Sequence, residues 1–439
     1  METINAGDTA WVMMSAALVL FMTPGLAIFY AGMVRVKSVL NMIMMSFAAM
    51  GLVSILWVVY GHSLTFGPDS GPGLIGDFSL VGLAGVPGTT VGAPGHEIPT
   101  LAFVMFQMTF AIITVALLSG AIADRAKFRG WLVFVVVWAT LVYFPIAHWA
   151  FAFEDGQGGW IGDRLGALDF AGGTAVEITS GASALALALV LGPRLGWRRE
   201  AMRPHNLPLV LLGAGMLWFG WFGFNAGSAL TAGSTAAVAL INTQVCTASA
   251  ALSWILVERL RDGHATTLGA ASGAVVGAVA ITPACAFLTP VGAIVLGLVA
   301  GGVSAVAVGW KYRLGYDDSL DVVGVHDVGG VVGMVAIGFL ATTSVNAAGR
   351  NGLFAGGGLG LLGSQMIAVV ATAAFAFVAT YIIAVVLDRL VGLRADPDDE
   401  LRGLDVATHA ESAYEFGPSA GVGILSGTHP GSVMHRENQ

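Results

Sequence analysis

Residues 9–32 read TAWVMMSAALVLFMTPGLAIFYAG, an apolar run that contains no charged side chain. A helix needs about 20 residues to cross the hydrocarbon core of a bilayer, so this run predicts a membrane span. Residues 1–8 carry two acids and no Lys or Arg, whereas a secretory signal begins with a basic region. We therefore expect the first run to be retained as a span.

The composition of the whole chain agrees with a membrane protein. Of 439 residues, 56% are hydrophobic and 10% are charged, and the mean hydropathy is +0.81. A soluble domain carries about 25% charged residues, so a cytosolic enzyme and a disordered protein are excluded. The net charge of -8 excludes a nucleic-acid binder, which needs a basic surface. Cys246 and Cys285 are too few for a disulfide framework and are expected to be buried thiols.

Ten further apolar stretches follow the first, and together they predict an all-α polytopic membrane protein with eleven transmembrane helices. The division between the eighth and ninth stretches rests on Pro283 and Pro290 and on the loss of periodicity between them. Glycines at 269, 273 and 277 of the eighth stretch predict close helix packing. The predicted spans are 9–32, 39–66, 99–123, 131–153, 166–192, 207–230, 236–257, 265–287, 290–310, 322–344 and 360–390.

The basic residues predict the orientation of these spans. If the first loop is cytoplasmic, 17 of the 19 Lys and Arg residues fall on that side, and only Arg164 and Arg350 fall on the other. Because basic residues concentrate in cytoplasmic loops, the N-terminus is predicted outside the plasma membrane and the C-terminus inside. Residues 1–393 then form a transmembrane domain, and the acidic residues 394–439 form a cytoplasmic C-terminal regulatory tail.

A weak internal repeat relates the fifth and tenth spans. Asp169 precedes Glu177 by eight residues at the head of the fifth span, and Asp318 precedes His326 by eight at the head of the tenth. The two spans lie five positions apart, and because five is odd, the second copy of a five-span repeat would cross the membrane in the opposite direction. The pattern predicts a 5+5 inverted repeat plus a final helix, with a substrate path between the halves.

Glu177 and His326 are the least expected residues of an apolar span, because an ionisable group there costs about 3 kcal/mol or more. A hydrogen bond between them would reduce that cost, either in a functional pathway or in a structural clamp between helices. Asp327 points about 100° away from His326 on a helix, which argues against a metal or enzyme site built on the three. Asp169 opens a helix, where a carboxylate holds free backbone N–H groups.

Aromatic residues cluster near the sixth span. The segment WFGWFGFNAGS at 218–228 brings Trp221, Phe224 and Ser228 together, and Phe106 and Phe110 lie four residues apart on one helix face. Aromatic faces with one hydroxyl suit a small cation. Simple packing of a hydrophobic core is the alternative.

Five motifs in this order resemble the ammonium transporter family (Amt/Mep/Rh superfamily), in its bacterial Amt branch. They are FMTPGLAIFYAGMVR at 21–35, LGALDFAGGTAVEI at 165–178, WFGFNAGSAL at 221–230, YDDSLDVVGVHDVGG at 316–330 and GLRADPDDELRGLDVATHAESAY at 392–414. The resemblance implies a homotrimer with one narrow pore in each subunit, ammonium or ammonia as substrate, no cofactor and no enzymatic activity. It also implies a cytoplasmic PII signalling protein as partner.

The resemblance assigns roles to individual residues. Phe110 and Phe224 resemble a stacked phenylalanine gate, and Ser228 resembles the hydroxyl that holds ammonium outside that gate, beside Trp221. Phe151 stands where the family has its recruiting tryptophan. Because Phe is the weaker cation–π partner, either recruitment is weaker or Trp149 or Trp160 takes this role. Asp169, with Asp318 as its repeat mate, resembles the aspartate that shapes the vestibule.

Two further positions depart from the family pattern. Glu177 replaces the first of two pore histidines, of which His326 is the second, and Asp327 stands where glycine is usual. A Glu–His pair can relay a proton as two histidines do. The predicted function is transport of ammonium with loss of its proton near the gate, and the proton either follows through the pair, which makes transport electrogenic, or returns outside. An ammonium sensor with little flux, signalling through its tail, is the alternative.

Overall fold

The computed structural model describes residues 4–414 and is mostly helical. Ten of the helices in this range are long and apolar enough to cross a membrane, and Thr267–Ile281 is a shorter apolar helix. The shorter helix continues as tight turns over 282–287 and matches the eighth predicted span. The helices are α1 (Ala6–Met33), α2 (Val36–Phe66), α3 (Thr100–Ile122), α4 (Phe128–Phe151), α5 (Gly173–Leu191), α6 (Leu207–Gly227), α7 (Ser234–Asp262), α8 (Thr267–Ile281), α9 (Pro290–Leu314), α10 (Val323–Leu340) and α11 (Gly360–Val391).

Polar side chains mark the starts of several helices. The side chain of Asn5 accepts from the Asp8 N–H before α1, Asn206 accepts from Leu209 before α6, and Thr289 accepts from Gly292 before α9. Such caps satisfy the free N–H groups of a first helical turn. Pro290 supports the same boundary, because its fixed φ suits the first helical position. The predicted division between the eighth and ninth spans is thus present in the structure.

Glycines allow the helices to pack backbone to backbone. A Cβ atom built on Gly273 would lie 2.7 Å from the Trp254 Cβ of α7, and one on Gly277 would lie 2.6 Å from the Thr247 Cα of the same helix. Real side chains do not tolerate such distances, so only glycine permits this approach. The predicted glycine ridge of α8 therefore packs against α7.

The fifth and tenth spans have matching starts. Helix α5 begins with a π-helical turn at Gly173–Ile178, and α10 begins with one at Val323–Asp327. The two helices pack closely at Gly330 of α10 and Glu177 of α5, since a Cβ atom built on Gly330 would lie 2.8 Å from the Glu177 Cβ. These equivalent irregular turns agree with the predicted inverted repeat and bring its two halves together at the centre of the molecule.

The remaining described elements are short and lie in loops. The loop between α2 and α3 contains an antiparallel hairpin of β1 (Thr90–Val91) and β2 (Ile98–Pro99). After α11 comes α12 (Pro397–Arg402), followed by a π-helical turn at Asp405–His409. Residues 415–439 of the predicted tail, including Arg436, lie outside the described residues, as do residues 1–3.

Candidate functional site: three cavities along one path

A large cavity, here called the wide cavity, lies beside the loops that precede α3 and α5. Its volume is about 870 Å³. Phe110, Phe151, Asp169 and Ser228 all line it, so the structure brings together four predicted residues from distant parts of the chain. Trp221 does not line this cavity and lies deeper in the molecule.

Two phenylalanine rings pack on each other at one wall of the wide cavity, and of the two only Phe110 lines it. The ring centroids of Phe110 and Phe224 are 4.2 Å apart at an interplanar angle of 34°, and the Phe106 ring lies 4.9 Å from that of Phe110. Phe110 and Phe224 are 2% and 1% exposed. Phe110 faces the wide cavity, whereas Phe224 faces a second cavity. The ring pair therefore separates the two spaces.

Ser228 presents its hydroxyl oxygen next to this ring pair. Its Oγ donates to the Phe224 carbonyl oxygen at 2.8 Å. Because the single hydroxyl proton is used in that bond, the oxygen keeps its lone pairs for a donor in the wide cavity. A cation that carries N–H groups is such a donor.

The second cavity, here called the narrow cavity, has a volume of about 10 Å³. That is close to the space of one water-sized sphere. Its wall is apolar except for Glu177, His326 and the indole of Trp221, whose Nε1 donates to Thr282 Oγ1 at 2.9 Å. A neutral small molecule fits this space better than a hydrated cation.

Glu177 and His326 meet in the wall of the narrow cavity. His326 Nδ1 lies 2.7 Å from Glu177 Oε2, and the side chains are 4% and 0% exposed. The other carboxyl oxygen, Oε1, has no hydrogen-bond partner among residues 4–414. The predicted Glu–His bond is thus present, and one carboxyl oxygen of Glu177 is not used by it.

Two aspartates hold the π-helical turns that carry this pair. Asp169 accepts from the N–H groups of Gly172, Gly173 and Thr174 at 2.7–2.8 Å. Asp318 accepts from the Val323 N–H at 2.8 Å at the corresponding place before α10. Burial raises the pKa of Asp318 to about 6, although the charge of Lys311 opposes that shift. The two aspartates thus hold backbone N–H groups at the starts of α5 and α10.

Asp327 lies away from the Glu177–His326 pair. It does not line the narrow cavity, and its backbone and Cβ pack against Gly181 of α5. Within residues 4–414, no three His, Cys, Asp or Glu side chains are grouped so that they could hold a metal ion. The structure gives Asp327 no visible part in the site.

A third cavity of about 200 Å³, here called the polar cavity, was not anticipated from the sequence. It contains Lys311 and Asp321, whose Nζ and Oδ1 atoms are 2.6 Å apart, and it is also lined by Arg194. A sequence shows neither the pairing of Lys311 with Asp321 nor the cavity that they line. The one available signal was the segment KYRLGYDDSLD at 311–321, in which two basic residues are followed closely by three acidic ones.

The first part of the predicted tail packs on the loops beside this cavity. The Ala395 N–H donates to the Arg125 carbonyl oxygen at 2.8 Å, and the Glu400 carboxylate accepts from the Leu195 N–H at 2.6 Å. Asp405 accepts from the Asn41 N–H of α2 at 2.8 Å. Residues 395–405 are therefore attached to the transmembrane helices through hydrogen bonds.

Comparison with known proteins gives a consistent result. A family model described as Ammonium Transporter Family matches residues 10–414. An ammonium transporter of Mycobacterium tuberculosis (strain ATCC 25618 / H37Rv) is 53% identical over 438 residues, covering 95% of this chain and 92% of the relative. One from Bacillus subtilis (strain 168) is 48% identical over 413 residues, covering 94% and 99%.

Solved structures are similar over the same length. The crystal structure of Saccharomyces cerevisiae Mep2 matches with a TM-score of 0.82 and 33% identity, covering 90% of this chain and 88% of that one. A structure described as "Sensor Amt Protein" matches with a TM-score of 0.83 and 30% identity, covering 92% and 98%.

Proposed function

The chain belongs to the ammonium transporter family, and from that premise we propose that it carries ammonium across the membrane as ammonia and a proton that travel separately. The Glu177–His326 hydrogen bond inside the narrow cavity carries this proposal. The relatives are named as transporters, which supports transport rather than catalysis.

Ammonium first collects in the wide cavity, on the outer side of the membrane. The Phe110 and Phe151 rings offer aromatic faces to a cation, and the Ser228 oxygen accepts one N–H. Both Arg residues predicted to be external adjoin this end of the molecule. Arg350 lines the wide cavity, and Arg164 contacts Asp69 of the loop between α2 and α3. The proposed orientation therefore places the N-terminus outside and the C-terminus in the cytoplasm.

The ring pair and the narrow cavity select the neutral form of the substrate. Stacked rings at 4.2 Å leave no room for a hydration shell, so the rings must move apart for a molecule to pass. Moving a bare cation into an apolar space costs far more than moving a neutral amine. Ammonium that reaches the gate therefore gives its proton to Glu177 Oε1, which lies in the wall of the narrow cavity beyond the Phe224 ring, and ammonia enters that cavity.

The proton crosses through the buried pair. Glu177 Oε1 is available to receive it, and the 2.7 Å bond to His326 allows transfer to the imidazole ring. The two groups titrate as one unit because they interact strongly. On the cytoplasmic side the proton rejoins ammonia, so one positive charge crosses for each ammonium ion.

The test is an ammonium concentration jump across proteoliposomes, with electrical current and internal pH recorded together. We expect a transient inward current in the wild type and none in protein-free liposomes. Internal alkalinisation without current would show that ammonia crosses alone and would contradict the proton pathway. No flux of either kind would contradict transport.

A sensor function is the second candidate, because one structural neighbour is described as a sensor and residues 395–405 bond to the loops between spans. In that case ammonium binds with little flux, and the tail signals to a partner. We propose a PII-type protein as that partner in either case, and a homotrimer as the assembly. The flux measurement separates the two functions.

A further inference from the structure

The polar cavity is the next space along the path beyond the narrow cavity. Three elements line both: α1 contributes Phe29 to the narrow cavity and Met33 to the polar one, and α8 contributes Val275 and then Leu268. The third is the start of α10, where His326 of the first turn lines the narrow cavity and Asp321, just before the helix, lines the polar one. In each of these three pairs, the residue that lines the polar cavity lies one or two helical turns farther from the Phe110–Phe224 gate than the residue that lines the narrow cavity. In the proposed orientation, the polar cavity is therefore the cytoplasmic mouth.

A carboxylate in this mouth is already neutralised by a cation of the protein itself. Lys311 Nζ lies 2.6 Å from Asp321 Oδ1, and the two side chains are 8% and 25% exposed. Lys311 also donates to the Asp318 carbonyl oxygen at 3.0 Å. Asp321 has a φ of +65°, which only a minority of non-glycine residues adopt. The backbone thus holds Asp321 in an uncommon conformation beside the ammonium group of Lys311.

The other charged groups of the cavity do not replace Lys311. Arg194 bonds to Asp317 at 2.8 Å and lies 3.5 Å from Asp124. The Arg198 guanidinium lies over the Trp197 ring at 5.6 Å, and Glu200 is exposed. Lys311 is the cation that contacts Asp321 in the described part of the chain.

A lysine side chain and an ammonium ion present the same chemistry to a carboxylate, namely a positively charged nitrogen with several N–H donors. We propose that Asp321 is an ammonium site at the cytoplasmic mouth and that Lys311, as a tethered competitor, keeps cytoplasmic ammonium from occupying it. This inference rests on the proposed transport function. The tether gives Lys311 a constant local concentration, so ammonium leaving the pore is released rather than retained, and re-entry from the cytoplasm requires a higher concentration.

Inside-out and right-side-out membrane vesicles test the idea with radiolabelled methylammonium as probe. A partly exposed ion pair changes an equilibrium by a factor of up to about five. We therefore expect Lys311→Met to lower the half-saturating concentration at the cytoplasmic face about fivefold. The value at the outer face should remain unchanged, because the wide cavity is intact.

Two control variants separate competition from damage to the pore. Lys311→Arg keeps the cation and should behave as wild type, whereas Lys311→Met combined with Asp321→Asn should lose the gain in cytoplasmic affinity. Asparagine tolerates a positive φ, so the Asn substitution preserves the backbone.

The remaining outcomes are also decisive. If Lys311→Met does not insert into the membrane, Asp321→Asn alone still gives a result, because a lowered half-saturating concentration in that variant contradicts an ammonium site at Asp321. An unchanged value in a transport-competent Lys311→Met variant refutes the competition. Wild-type vesicles without flux in either orientation would instead refute the transport function itself.

Discussion

Replacing Glu177 by glutamine removes the proton-carrying group and leaves the shape of the pore unchanged. Glutamine has nearly the same size as glutamate, and it retains a hydrogen bond to His326. It cannot bind and release a proton at neutral pH. Any loss of current in this variant therefore reports on proton transfer and not on packing.

The size of the effect follows from the burial of the pair. His326 Nδ1 and Glu177 Oε2 are 2.7 Å apart, with side chains 4% and 0% exposed. A hydrogen bond to a charged group contributes about 1.5–3 kcal/mol, and about 1.4 kcal/mol corresponds to a factor of ten. The neutral hydrogen bond that glutamine retains contributes about 0.5–1.5 kcal/mol. The variant therefore loses about 1–1.5 kcal/mol of stabilisation for the transferred proton, and the electrogenic current should fall roughly fivefold to tenfold.

The assay is the ammonium-jump current of proteoliposomes that contain equal amounts of inserted protein. Glu177→His is the matched comparison, because an imidazole at this position restores a titratable group next to His326. We expect the glutamine variant to lose more current than the histidine variant. Equal currents in the two variants, or a glutamine variant that keeps at least half of the wild-type current, would refute the relay.

Three more predictions concern the surroundings of this pair. Phe110→Ala should open the gate, because the Phe110 ring packs on that of Phe224 at 4.2 Å. We expect a potassium current above background in this variant, and continued exclusion of potassium would count against a gate. Asp169→Ala removes a cap from the start of α5 and should destabilise the protein by about 1–2 kcal/mol. The measurement is the melting temperature in detergent, which should fall; Asp169→Asn should lower it by a smaller amount. Burial raises the pKa of Asp317, but its hydrogen bonds and ion pair with Arg194 outweigh that effect and hold the pKa below 3.8. The ionised carboxylate therefore stabilises the fold above pH 3.8, and the stability difference between wild type and Asp317→Asn should shrink as the pH falls through the lowered pKa; a difference that persists in acid would contradict this assignment.

Hydrophobic runs made most of the fold predictable. Each of the eleven predicted spans corresponds to a helix, because a span needs enough apolar length whatever its neighbours are. The eighth helix, Thr267–Ile281, is shorter than predicted, because the chain after it turns tightly through residues 282–287. Hydropathy does not distinguish buried turns from buried helix, so only the structure showed this end.

The site was predictable where an ionisable residue stood in an otherwise apolar span. Glu177 and His326 are conspicuous because a charged group in an apolar span needs a partner, and the structure pairs them. The sequence grouped Trp221 with Ser228 as a substrate contact. The structure places Trp221 in the narrow cavity and Ser228 in the wide one, because the Phe224 ring lies between the two spaces.

The chain order of apolar and ionisable residues by itself determined a polytopic helical protein with a polar pair at its centre, because bilayer thickness and the cost of buried charge act on local sequence. Tertiary structure alone decided which cavity each side chain lines and that Lys311 bonds to Asp321. Those relations depend on how helices from distant parts of the chain cross and on glycines such as Gly330 that let them approach. Hydrophobic periodicity does not encode a crossing point, because helix packing in a membrane depends on the detailed shapes of both partners.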